Sequence, residues 1–149
     1  MIKLPIRVGS DLRERVEKSY DEAISQVGET EELYVRDKLP RVLGGLKRGS
    51  QGWRSEVVVA VNELFEVYEH PERMHTGNGS PRPMLLAALF YFCNPYDIIP
   101  DRVPGTGFAD DALVLNDCLR RIEEKDPDLY GKINAAIKKV RGYLHFGVR

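Results

Sequence analysis

The segment Tyr91-Phe92-Cys93-Asn94-Pro95-Tyr96-Asp97-Ile98-Ile99-Pro100-Asp101-Arg102-Val103-Pro104-Gly105-Thr106-Gly107-Phe108-Ala109-Asp110-Asp111 holds three prolines, two glycines and four aspartates. Proline fixes φ and removes a backbone donor, glycine opens positive φ, and aspartate accepts hydrogen bonds from nearby amides. An ordinary surface connection does not need so much backbone specification. Before it lies Met84 to Cys93, apolar on every side, which predicts a central, fully packed helix. After it Phe108, Ala112, Leu115, Leu119 and Ile122 recur at helical spacing, which predicts another helix. The segment therefore reads as a turn between two buried helices.

Its fixed spacing is Tyr91, then Pro95-x-Asp97-x-Ile99-Pro100-Asp101, then Pro104-x-x-Gly107-x-x-Asp110-Asp111, then the apolar Leu113, Val114 and Leu115. This pattern resembles the YkvA-like family, a mostly bacterial domain family of unknown function. With its flanking helices the resemblance covers roughly residues 57–122. It implies a small helical domain, usually soluble. No reaction comes with it, so it carries no catalytic assignment onto this chain.

Working outward, Ser10 is the expected N-cap of a first helix, with Asp11 in its first turn. Leu12, Val16, Ala23, Ile24 and Val27 share one face, and Gly28 is expected to stop it. Thr30 is the expected cap of a second helix with the stripe Val35, Leu39, Val42, Leu43 and Leu46. Pro40 should kink or interrupt that helix, and Gly44-Gly45 should weaken its end. Trp53 to Tyr68 shows Val57, Val61, Leu64, Phe65 and Tyr68 on one face. His70 to Pro83, broken by Pro71, Gly77, Gly79 and Pro81, reads as a loop. Asp126-Pro127-Asp128 reads as N-cap, first-turn proline and first-turn acid of a last helix, with Leu129, Ile133, Ala136, Ile137 and Val140 inward. Strand-like alternation is absent. The expectation is an all-α, single-domain bundle of about six helices around a central apolar helix, spanning residues 1–149.

The 149 residues suffice for one buried core. A net charge of −1 argues against general binding to a phosphate backbone, so no nucleic-acid partner is expected. After Asp128 come Lys132, Lys138, Lys139, Arg141 and Arg149 without an acid. That basic stretch fits a solvated face near a helix C-terminus, or, less simply, a membrane surface. The longest uncharged run, Pro83 to Tyr96, falls short of the ~20 apolar residues that a spanning helix needs. Cys93 and Cys118 sit in apolar stretches and supply neither a disulfide framework nor zinc spacing. Together with the lack of a signal-like apolar segment at the start, this points to the cytoplasm.

Asp97, Asp101, Asp110 and Asp111 are the candidate chemistry. Four carboxylates gathered by a turn suit a hard cation such as Mg²⁺, Mn²⁺ or Ca²⁺. A structural account competes. Asp97 and Asp101 flank a short turn and can accept from local amides. Asp110 and Asp111 fall in a helix's first turn, where negative charge is favourable, and adjacent helical residues diverge by about 100°. Capping is the preferred reading and no cofactor is expected. His70, His75 and His145 are scattered without ligand spacing, and Gly105-Thr106-Gly107 lacks the lysine of a phosphate loop. Tyr91, Pro95, Pro100, Pro104 and Gly107 complete the motif as turn-shaping residues. Trp53, beside Arg54 at a helix start, fits a half-buried staple better than a hot spot.

With no complete catalytic constellation, the favoured function is a protein-interaction domain of accessory, immunity-like or antitoxin-like kind that binds another protein. The alternatives are a divalent-metal domain or hydrolase built on the four aspartates, and a peripheral membrane protein using the basic last helix.

Overall fold

In the computed structural model, Met84–Cys93 lies within a helix whose residues are all buried or partly buried from Met84 onward. The structure describes residues 2, 8–49, 52–74, 80–93 and 109–147, without the side chains of 47–49 and 140–147. Six α-helices occupy them: α1 (Ser10–Gln26), α2 (Glu29–Gly49), α3 (Trp53–Glu69), α4 (Arg82–Cys93), α5 (Ala109–Lys125) and α6 (Pro127–Gly147). A 3-10 turn, Pro71–Arg73, follows α3, and no strand occurs among the described residues. The architecture is the expected all-α bundle. Leu85, Leu86, Ala87, Ala88, Leu89 and Phe92 of α4 are buried, because α1, α2, α3 and α5 each pack on it. α6 closes the far side against α3 and α5.

The helix ends show which local rules governed. Gly9, not Ser10, precedes α1 as its cap residue and makes no side-chain cap bond. Ser10 is already helical. Gly28 does not merely stop α1, which ends at Gln26; its carbonyl accepts from the Glu32 amide as α2 begins. The Gly28 amide in turn donates to Glu31 Oε2 at 2.9 Å. This is the returning half of a capping box, and it moves Thr30 from the expected cap into the first turn. α2 then runs through Pro40 and Gly44-Gly45 to Gly49, so neither breaker ends it. Packing of Val35, Leu39 and Leu43, all buried, outweighs the proline's missing donor. α4 starts at Arg82, so the expected loop ends two residues early. Pro83 is tolerated there because first-turn amides have no intrahelical partner.

The start of α6 follows the expectation from Asp126-Pro127-Asp128. Pro127 is its first residue, and the Leu129 amide donates to Asp126 Oδ1 at 3.2 Å. Leu129, Ile133 and Ile137 face inward.

Tyr20 is the main core residue that the α1 stripe left out. It lies four residues from Val16 and from Ile24, so the spacing places it on their face. Its ring is fully buried and its hydroxyl donates to the Met84 carbonyl at 2.8 Å. Arg121 of α5 lies over the ring at 5.3 Å and pairs with Asp21 at 3.1 Å. The same guanidinium reaches the buried Asp117 at 3.4 Å, and Arg120 pairs with that carboxylate as well. α1, α4 and α5 are thus tied by one polar cluster inside an apolar contact.

Candidate functional site

The motif enters the described structure at its two ends. Tyr91 and Cys93 close α4, and Asp110 and Asp111 open α5. Pro95, Asp97, Pro100, Asp101, Pro104 and Gly107, with Ile98, Ile99 and Phe108, lie outside the described residues, as do His75, His145 and the Gly105-Thr106-Gly107 turn. The expected caps from Asp97 and Asp101 fall there too.

Asp110 and Asp111 stand in the first turn of α5 as expected, where the helix N-terminus favours negative charge. Their burial was not expected: 0% and 3% exposed, they are as enclosed as the leucines around them. A divergence of 100° per residue does not free either carboxylate, because the N-terminal end of α5 is itself inside the bundle. From Ala109 to Leu119 only Asn116 escapes full burial. Cys93 lies close enough for the Asp111 charge to act on it. Burial first, and that charge second, push its thiol up to about 12. Both cysteines are free thiols. A thiol kept protonated in this way is a weak nucleophile. No grouping of three or more His, Cys, Asp or Glu side chains with metal-holding geometry occurs among the described residues. His70 instead pairs with Glu72 at 3.1 Å beside the 3-10 turn.

A second site emerges from helix packing, and the motif reading did not contain it. The start of α2, the end of α3 and the start of α4 enclose a groove of about 620 Å³. Val27, Leu33, Pro83 and Leu86 give it apolar walls, while Glu32, Arg36, Tyr68 and Arg82 give it a polar centre. Glu32 Oε1 holds both guanidinium groups, Arg36 at 3.1 Å and Arg82 at 3.3 Å. Arg36 also reaches Glu69 at 3.5 Å. Arg82 stacks over the Tyr68 ring with 4.3 Å to its centroid. Tyr68 is fully buried, and its hydroxyl has no hydrogen-bond partner within 3.5 Å among the described residues. Burial, and less strongly the neighbouring Glu32 carboxylate, raise its pKa against the opposing pull of Arg82. Leu33, 61% exposed, stands on the rim and is the exposed large hydrophobic residue among those described.

Sequence spacing offered one signal for this groove. Glu32 and Arg36 are four apart on α2, the favourable order for an acid and a base. Arg82, fifty residues further on, has no such local mark. Trp53 is half-buried against the core with Arg54 5.5 Å from its ring. Lys132, Lys138 and Lys139 are exposed on α6.

Residues 82–116 are similar to a protein family described as "Protein of unknown function (DUF1232)". That stretch takes in α4, the Pro–Asp segment and the first half of α5. No curated protein and no solved structure matches the chain. No helix among the described residues is long and apolar enough to cross a membrane.

Proposed function

We propose that this chain is a protein-binding domain and that the groove between α2, α3 and α4 is its docking surface. One observation carries the reading: Leu33 stands exposed on the rim of a groove whose centre holds two arginines and a tyrosine. Arginine and tyrosine are the residue types that dominate binding energy when a partner desolvates them. A guanidinium carries several N–H donors; among the described residues Arg82 pairs with one oxygen of Glu32, while Arg36 pairs with Glu32 and Glu69. Donor capacity is left for a partner. The fitting segment presents an apolar side chain to Val27, Leu33 and Leu86 and a carboxylate to the arginines. The spacing of the Pro–Asp segment supports a YkvA-like domain, and two free cysteines support a reducing compartment, the cytoplasm.

The test is site-specific crosslinking in the native host. A photoreactive amino acid at position 33 is expected to give one dominant adduct, and Arg82→Glu is expected to abolish it. The same probe at Glu14, an exposed position on α1, is expected to give no such adduct. Equal adducts from the two positions would sink the assignment.

A further inference from the structure

Two helices begin and one ends at the α2–α3–α4 groove. Gly28 and Glu29 line it from the start of α2, Arg82 and Pro83 from the start of α4, and Tyr68 from the end of α3. Helix N-termini carry partial positive charge, and the side-chain donors have the same preference for an anion. Arg36 and Arg82 keep side-chain exposures of 46% and 33%, so a ligand can reach both. Ser80 Oγ accepts from the Arg82 amide at 3.1 Å, which leaves its own hydrogen to donate. The Tyr68 hydroxyl, fully buried, has no partner within 3.5 Å among the described residues. The charges of Arg82, Glu32 and Arg36 all act on it, so it stands at the polar centre of the groove. A buried donor without an acceptor costs free energy. The acids present are already accounted for: Glu32 Oε1 accepts from both arginines, and Glu29 is exposed in the first turn of α2, where an acid is favourable. The polar centre is short of an acceptor.

We infer that the groove captures the C-terminal end of a partner chain, with the terminal carboxylate on Arg82, Arg36 and the Tyr68 and Ser80 hydroxyls and an aliphatic last side chain against Val27, Leu33 and Leu86. The inference rests on the docking surface proposed above and names the part of the partner that docks. Size argues for a short occupant. The groove encloses about 620 Å³, within the ~300–1,000 Å³ of small-ligand sites, whereas a standard protein interface is a broad patch of ~800 Å² per partner. Chemistry argues for a chain end. A carboxylate has two oxygens with about four acceptor positions, enough for the donors gathered here. On a last residue the carboxylate and the side chain share one Cα, which suits a polar centre set inside apolar walls. An internal Asp or Glu would instead bring peptide groups from both sides against those walls, where unpaired polar groups are costly. Capture of a terminal carboxylate is also an established mode of peptide recognition.

The test titrates the full chain, followed by its backbone amide resonances, with N-acetyl-Leu-Leu, the same dipeptide as its C-terminal amide, and 4-methylpentanoate. The free acid is expected to move the Leu33, Tyr68 and Arg82 resonances at millimolar concentration and to bind at least tenfold more tightly than the amide. 4-Methylpentanoate, with the carboxylate and the aliphatic chain but no peptide unit, should bind at least tenfold more weakly than the dipeptide acid; equal binding would make the ligand a small free acid and overturn the assignment to a chain end. Tyr68→Phe should weaken the acid at least threefold while the melting temperature stays or rises, because it removes a hydroxyl without a partner. A purely structural hydroxyl would lower the melting temperature and leave the acid's affinity alone. Should Tyr68→Phe not fold, Arg36→Gln at an exposed position of α2 replaces it, with the same threefold loss expected. Equal affinity for acid and amide, or for wild type and the folded variant, overturns the proposal. No binding of the acid while the position-33 adduct persists overturns the terminal carboxylate alone; loss of that adduct as well removes the docking surface with it.

Discussion

Single residues decide whether buried polar groups help or harm this bundle. Asp126 is 2% exposed, and its carboxylate accepts from the Leu129 amide. It satisfies an amide at the start of α6 that has no intrahelical acceptor. Asp126→Ala should lower unfolding free energy by about 0.5–2 kcal/mol, and Asp126→Asn by less, because asparagine keeps an acceptor. Urea titration of the three proteins measures the order. Cys118 gives a pH-dependent counterpart. Burial pushes its thiol from an ordinary 9.0 to about 12, with Tyr20 and Arg121 pulling down and Asp117 pushing up. The folded chain keeps this proton at a pH where the unfolded chain has lost it. The associated stability is thus complete below pH 9.0 and is lost as pH rises towards 12. By pH 10 the loss amounts to roughly 1 kcal/mol. The urea midpoint should drop between pH 8 and pH 10, and by less in Cys118→Ala; equal drops would remove the thiol from the account.

At the scale of the element, α2 shows tertiary packing overriding a weak local preference. Its first half is well specified by the Gly28–Glu31 cap, the Glu32–Arg36 pair and the Asp37–Arg41 pair at 2.5 Å. Its second half contains Pro40, Gly44 and Gly45 and stays helical to Gly49. Both glycines are exposed, and a Cβ added at either meets nothing within 4 Å. Alanine there removes the glycine's entropic disadvantage without a clash. Gly44→Ala and Gly45→Ala should each raise stability by about 0.5–1 kcal/mol, visible as a higher melting temperature. A decrease for both would show that this half of α2 leaves the helix in solution. α4 is the opposite case: its uniform apolarity and its position among four packing partners agree.

At the scale of the whole molecule, the described helices share one hydrophobic cluster that runs from Ile2 through α1–α5 to Ile137 of α6. We therefore expect the chain to unfold as one unit. Trp53 is its only tryptophan and sits at the start of α3. Its fluorescence and the far-ultraviolet circular dichroism should report the same urea midpoint. Separate midpoints would divide the chain into two folding units.

The helical architecture was legible because its information is local. A period of 3.6 in apolar residues, the Asp126-Pro127 start and the apolar Met84–Cys93 run act within a few turns of chain. Thr30 and Ser10 were misread as caps for the same reason. Several residues near a boundary can satisfy its amides, and only the actual backbone path selects Gly9 and Gly28. The candidate site was half legible: spacing marked Asp110 and Asp111 as first-turn acids but could not say that the end of α5 is enclosed. The groove joins Glu32 to Arg82, Tyr20 reaches Met84, and Ile2 meets Asn116 across 114 residues. Such pairs depend on how far one helix slides and rotates against the next, and no local period encodes that offset. What the sequence determined by itself was which faces are buried; which polar groups then meet between those faces was decided by the packing of α1, α2, α3 and α5 around α4.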